Sequence, residues 1–240
     1  MKKPPGRKYF TVLLFQALAI LLACTEGPKN EYGSVDQSLV INKTQEEITG
    51  RKYLVDSSGS FINWMASNTQ ARHYGIFPID HGYLTVKDSA VVGGEIYIRL
   101  SGINILDLHD NPDDNARLSE LMKSKYLLDA ADQPIAKFVI DSINPVNLPI
   151  EHRQRLLNDI SKSYPNDSVY GRLTLKGITR QLIFPARIDI VYFKIQSAAN
   201  FMIGSNGWDL HLPPGTAQPA SAYSLPDSIN IGFDIIAVAQ

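Results

Sequence analysis

The chain has 240 residues, of which 44% are hydrophobic and 20% charged, with a formal net charge of −1 and a single cysteine. Such a chain can bury one sizeable core. It lacks the cation excess that nucleic-acid phosphates require, and it can form no internal disulfide.

Met1 to Ala23 reads as an export signal, with Lys2, Lys3, Arg7 and Lys8 ahead of an apolar stretch from Phe10 to Leu22 that is too short to span a membrane comfortably. It ends in Leu21-Leu22-Ala23-Cys24, which resembles the bacterial lipoprotein box. That resemblance implies that Cys24 becomes the lipidated first residue of the mature protein, and several acyl chains on one residue give a lasting membrane anchor. An ordinary signal followed by a free thiol is the alternative. Removing residues 1–23 leaves 19 Lys and Arg against 24 Asp and Glu, a formal charge of −5. Thr25 in place of an Asp after the cysteine favours the outer membrane over retention at the inner one. Residues 24–47 are polar and weakly patterned, as a flexible tether should be, and residues 48–240 form the folded domain.

The domain opens on strand signals over Lys52 to Met65, interrupted by the turn-prone Ser57-Ser58-Gly59-Ser60. Tyr83 to Val86 predicts a further strand. Past a turn expected at Val92-Gly93-Gly94 comes another, in which Ile96, Ile98 and Leu100 alternate with Tyr97 and Arg99. Asn111 suits a helix N-cap, Pro112 the first helical position, and Asp113 and Asp114 the positive end of the dipole. Leu118, Leu121, Met122 and Tyr126 supply the apolar stripe. Ile135 to Ile143 returns to strand with Phe138 and Ile140 on one face. Pro149 to Tyr164 reads as a second short helix.

Val169 to Ile190 is the clearest hairpin: Val169, Leu173 and Leu175 share one face, the chain breaks at Lys176-Gly177, and Leu182, Phe184, Ala186, Ile188 and Ile190 repeat the period of two. Ala198 to Ile203 and Ser228 to Val238 are the last strands. The Pro-rich Pro213 to Pro226 between them is a loop. The fold class is mainly β, about eight or more antiparallel strands with two short helical insertions, arranged as a barrel or a sandwich.

From Tyr53 to Ala239 the chain resembles the YceI-like family. The resemblance is carried by Ser60-Phe61-Ile62-Asn63-Trp64, His73-Tyr74-Gly75, Gly82-Tyr83-Leu84, Gly93-Gly94-Glu95-Ile96 and Leu106-Asp107-Leu108. Its strongest part is Tyr170-Gly171-Arg172-Leu173-Thr174-Leu175-Lys176-Gly177-Ile178-Thr179. The likeness implies an antiparallel closed barrel, lipocalin-like, that binds isoprenoid or other long-chain lipids. Two basic residues usual in that pattern, after Trp64 and just ahead of Trp208, are missing here.

An eight-stranded barrel can be filled by its own side chains or can hold one slim ligand. An apolar lining would fall on Phe61, Trp64, Phe77, Ile96, Ile98, Phe138, Leu173, Phe184, Phe201 and Trp208, each of which reads alternatively as plain core, with His73 as a polar contact at the mouth or a strand histidine that only fixes a turn. His73, His81, His109, His152 and His211 have no zinc-ligand spacing, and His109 to Asp114 fails the calcium-loop pattern, so no metal or other cofactor is expected. No nucleophile elbow, phosphate loop or dinucleotide fingerprint occurs, and no catalytic residue is assigned. The expectation is an envelope lipoprotein whose partners are a lipid ligand and a membrane. Two readings stand beside it: a scaffold with a filled barrel that pairs with a second copy or an envelope protein, and a lipid hydrolase using His73.

Overall fold

In the computed structural model, residues 49–69, 71–146, 165–214 and 225–240 are described. Cys24, the tether, the expected helix over 149–164 and most of the loop over 213–226 lie outside them. Ten strands form one antiparallel sheet: β1 Arg51–Val55, β2 Phe61–Ser67, β3 Arg72–Lys87, β4 Ala90–Arg99, β5 Asn104–Ile105, β6 Ile135–Pro145, β7 Asp167–Leu175, β8 Ile178–Val191, β9 Lys194–Gly204 and β10 Ser228–Ala239. Hydrogen-bonded neighbours run from β10 through β2, β3, β4, β6, β7, β8 and β9 back to β10, which closes an eight-stranded barrel. Closure removes the free sheet edges that would otherwise invite aggregation.

Two barrel positions are each shared by two strands. β1 and β2 run in line between β10 and β3, with Tyr53 opposite both Ala239 and Leu84, and Trp64 opposite both Ile231 and Gly75. The break between them is a turn in which the Asp56 carboxylate accepts from Ser58 N at 3.0 Å and Ser58 Oγ at 2.6 Å. Ser60 Oγ accepts from Ile236 N at 2.9 Å, which stitches the break to β10. Likewise β5 extends the β4 position along the first half of β3, with Ile105 opposite Gly75.

Local chemistry sets the turns. Asp88 and Ser89 both have positive φ, 51° and 63°, as do Lys176 and Gly177 at 52° and 72°. Both hairpins are therefore two-residue turns of the primed kind whose twist matches the strands. The turn expected at Val92-Gly93-Gly94 is instead strand. Thr85 faces Gly93 while Val86 faces Val91, so Val92 is the extra residue of a bulge and the chain reverses earlier, at Asp88-Ser89.

Helix α1, Pro112–Lys123, starts as the sequence predicts, with Asn111 Oδ1 accepting from Asp114 N at 3.2 Å. Leu118 is buried, and α1 with the turn that follows lies over β5 and contributes Met122, Leu127 and Leu128 to the interior. Within the barrel, inward side chains of all eight positions meet in one hydrophobic core.

Candidate functional site

That core is hollow. A cavity of about 170 Å³ runs inside the barrel, lined from every strand position and from the α1 end. Trp64 on β2, Phe77 on β3, Ile96 and Ile98 on β4, Phe138 on β6, Leu173 on β7, Phe184 on β8 and Phe201 on β9 all line it. β10 adds Ile229, Ile231, Phe233 and Ile235, a run of strict alternation that the sequence displays and that belongs with the lining.

Two expected lining residues are elsewhere. Phe61 is paired with Pro78 and Asp234 and precedes the inward Ile62, so the pleat turns it to the outer face, and Ile62 takes its place on the bore. Trp208 ends the 3-10 turn Ser205–Trp208 and is fully buried behind the wall, its Nε1 donating to Leu173 O at 3.4 Å.

One wall is aromatic. Phe184 stacks on Phe201 with centroids 4.1 Å apart and planes 4° from parallel, and meets Phe138 and Phe233 at 5.7 Å each. Gly171 on β7 makes room for the Phe138 ring, because a Cβ there would collide with Phe138 Cζ and the Val139 carbonyl. Among the described residues no ionisable side chain lines the cavity; besides apolar side chains and Trp64, whose indole nitrogen is itself enclosed, the lining includes only Ser197. A space of this kind stays dry and takes up hydrocarbon.

A model of the YceI-like domain matches residues 53–237. The chain belongs to the YceI-like domain family. Its structure is similar to that of BcnA from Burkholderia cenocepacia, with a TM-score of 0.56 at 16% identity over 77% of this chain and 99% of that one. It is also similar to a polyisoprenoid binding domain from Saccharophagus degradans implicated in plant cell wall breakdown, with a TM-score of 0.52 at 16% identity over 78% and 98% of the two chains. At such identity the likeness is one of fold. No curated protein matches the chain.

His73 of this YceI-like barrel lies opposite Ala66, which lines the cavity, but its own ring is engaged by Asp107, Nδ1 to Oδ2 at 2.7 Å. The other Asp107 oxygen accepts from Tyr74 N at 2.9 Å, so the carboxylate fastens the segment after β5 to the start of β3. Among the described residues no three His, Cys, Asp or Glu side chains converge as a metal site.

The charges of the barrel sit outside it. Glu95 pairs with Lys137 at 2.9 Å and accepts from Tyr97 Oη at 2.7 Å. Burial alone would lift the Glu95 carboxyl, but the Lys137 ammonium and the Tyr97 hydroxyl outweigh it and hold it below the ordinary range. Lys137 is correspondingly raised, chiefly by its bond to Glu95. Arg172 grips Asp141 with three bonds of 2.7–3.1 Å. These networks brace β4, β6 and β7 from the wet side and leave the interior to hydrocarbon.

Proposed function

We propose that this YceI-like chain is an exported lipoprotein, acylated on Cys24, that holds a long-chain isoprenoid or another amphiphilic lipid in its bore for transport, storage or sequestration at the cell envelope. The hollow barrel with an almost wholly apolar lining carries this reading. Each methylene buried there gains roughly 0.8 kcal/mol. A dozen methylenes therefore contribute about 10 kcal/mol, which is comparable with the roughly 4–15 kcal/mol that association costs. No charged contact is needed, and bore length and width set the selectivity.

Family membership and the fold shared with a polyisoprenoid binding domain support the lipid class. Among the described residues no helix is long and apolar enough to cross a membrane, and strands are not judged by that criterion. In this reading the anchor is the acylated Cys24, which follows the apolar export signal. The barrel end where the tether joins supports a lipid-facing role. There Val191, Tyr192 and Phe193 are 50%, 91% and 66% exposed, with Leu54 and Val238 exposed on adjoining strands and Arg51 stacked over Phe193. Exposed aromatics beside cations suit a membrane interface.

The test is uptake of a prenyl or acyl alcohol by the delipidated protein. Ala136, 2% exposed on the cavity wall, is the place to fill the bore. Ala136→Phe is expected to abolish uptake while circular dichroism still reports a folded barrel. Unchanged uptake by the folded variant would put the lipid somewhere other than the bore.

A further inference from the structure

At the end that carries the β8–β9 turn, the barrel is apolar outside as well as in. Val191 stands opposite Lys194, Lys194 opposite Val238, Val238 opposite Leu54, and Leu54 opposite Tyr83. Directly opposed residues share one side of a sheet. The five side chains therefore form one row across the outer wall of β8, β9, β10, β1 and β3, about 19 Å long at the usual strand spacing. Val191, Val238 and Leu54 in that row are exposed, while the adjoining Ile195, Ala237 and Leu84 are buried on the inner face. Beyond the row the chain turns through Tyr192 and Phe193, the most exposed large hydrophobic side chains among the described residues. Tyr192 holds a left-handed backbone at φ 54°, which Asn or Gly adopts more readily than a bulky residue. Folding gains little from a tyrosine in that place.

Cations gather at the same end. Arg51 lies over the Phe193 ring at 5.4 Å and Lys52 over the Tyr83 ring at 4.6 Å. Lys194 stands within the row, and Lys87 ends β3. Against these four stand Asp88 in the β3–β4 turn and the carboxylate of Gln240, whose O accepts from Arg51 at 3.2 Å. Asp189, near the end of β8, is held by Arg187 at 2.7 Å. This local excess of positive charge belongs to a chain whose formal net charge is −1. The segment that follows Cys24 enters the described structure here too, at Thr49 and Gly50 beside Arg51.

We propose that this end of the barrel docks on an anionic phospholipid bilayer, with Tyr192 and Phe193 at the boundary of headgroups and acyl chains and Arg51, Lys52, Lys87 and Lys194 against lipid phosphates. The row lies one residue back from the turn, so entry by about 7 Å, two residues of strand, covers the whole patch. Interfacial segments enter by about 5–10 Å. The α1 end then faces away from the bilayer. This docking rests on the membrane location in the proposed function and is independent of what occupies the bore.

The test places the protein, purified in detergent from the cells that make it, in vesicles with brominated acyl chains, of phosphatidylcholine alone or with phosphatidylglycerol. Phe193→Trp sets a fluorescent reporter in the patch, and Asp110→Trp sets one on an exposed residue before α1 at the opposite end. Trp64 and Trp208 are buried, and the unsubstituted chain supplies their background. With phosphatidylglycerol present, the Phe193→Trp reporter is expected to shift to the blue and to be quenched about threefold more than Asp110→Trp, with weaker quenching in phosphatidylcholine alone. Adding Tyr192→Ser, at a side chain 91% exposed, should reduce that quenching while circular dichroism reports an unchanged fold. Equal quenching of the two reporters would overturn the docking, and equal quenching in the two vesicles would overturn its anionic character. A blue shift that follows protein concentration without vesicles would give the patch to a second copy and overturn it as well. Intact mass of the same samples reads acylation separately. A docked reporter on a chain without acyl groups would sink the Cys24 anchor and support the docking, whereas an acylated chain with an unquenched Phe193→Trp reporter would overturn the docking alone.

Discussion

Phe184 is gripped by three aromatic rings and is only 2% exposed, so removing its ring takes away packing that nothing nearby can replace. Phe184→Ala is expected to cost about 3–5 kcal/mol in urea unfolding. Phe61→Ala, on the outer face, should cost under about 1 kcal/mol. The two phenylalanines look alike in sequence; a one-residue difference in pleat separates them. At Glu95 the lowered carboxyl is stabilising above its ordinary pKa, and that contribution is lost as pH falls through the lowered value. Lys137, raised, stabilises below its ordinary pKa and loses its contribution as pH climbs through the raised one. Glu95→Gln should therefore flatten the acid limb of a stability profile measured between about pH 7 and about pH 3. Asp167 runs the other way. Its carboxyl is raised by burial and then by Asp189, which disfavours the folded state once it ionises. Asp167→Asn is expected to raise the urea midpoint at neutral pH, with the gain disappearing in acid.

At the level of elements, hairpin chemistry offers a direct check. Ser89 pays for a left-handed backbone at φ 63° in the β3–β4 turn. Ser89→Gly, which makes an Asp-Gly turn, should raise stability by roughly 0.5–1 kcal/mol. Helix α1 depends on its cap, so Asn111→Ala should cost about 1 kcal/mol by the same measurement. The helix and the β7–β8 hairpin were legible because their signals are local: a cap, a proline, a Lys-Gly turn and unbroken alternation. β3 was not. Between Ile79 and His81 its pairing with β4 slips by one residue, so the inward positions change from Phe77 and Ile79 to Gly82 and Leu84. Period-two reading breaks at such a bulge, and only the clean stretch from Tyr83 to Val86 stood out. The Gly93-Gly94 pair misled for the same reason, since a glycine cluster marks a bulge as readily as a turn.

For the whole molecule, the antiparallel β class followed from alternation, but closure depends on the β9–β10 pairing and on two split positions that no local pattern announces. Nor does any string of residues say that the inward side chains stop short of filling the interior. Alternation sets Ile62 and Trp64 on one face of β2 and Phe61 on the other, and the pairing shows which face is inward, while Trp208 is removed from the bore by a 3-10 turn. The central claim is that the hollow is a ligand site, and native mass spectrometry of the protein gently extracted from the cells that make it tests it most directly. One long-chain lipid per chain is expected, absent from Ala136→Phe. A chain that carries no lipid and takes up none when offered prenyl and acyl alcohols would contradict the account.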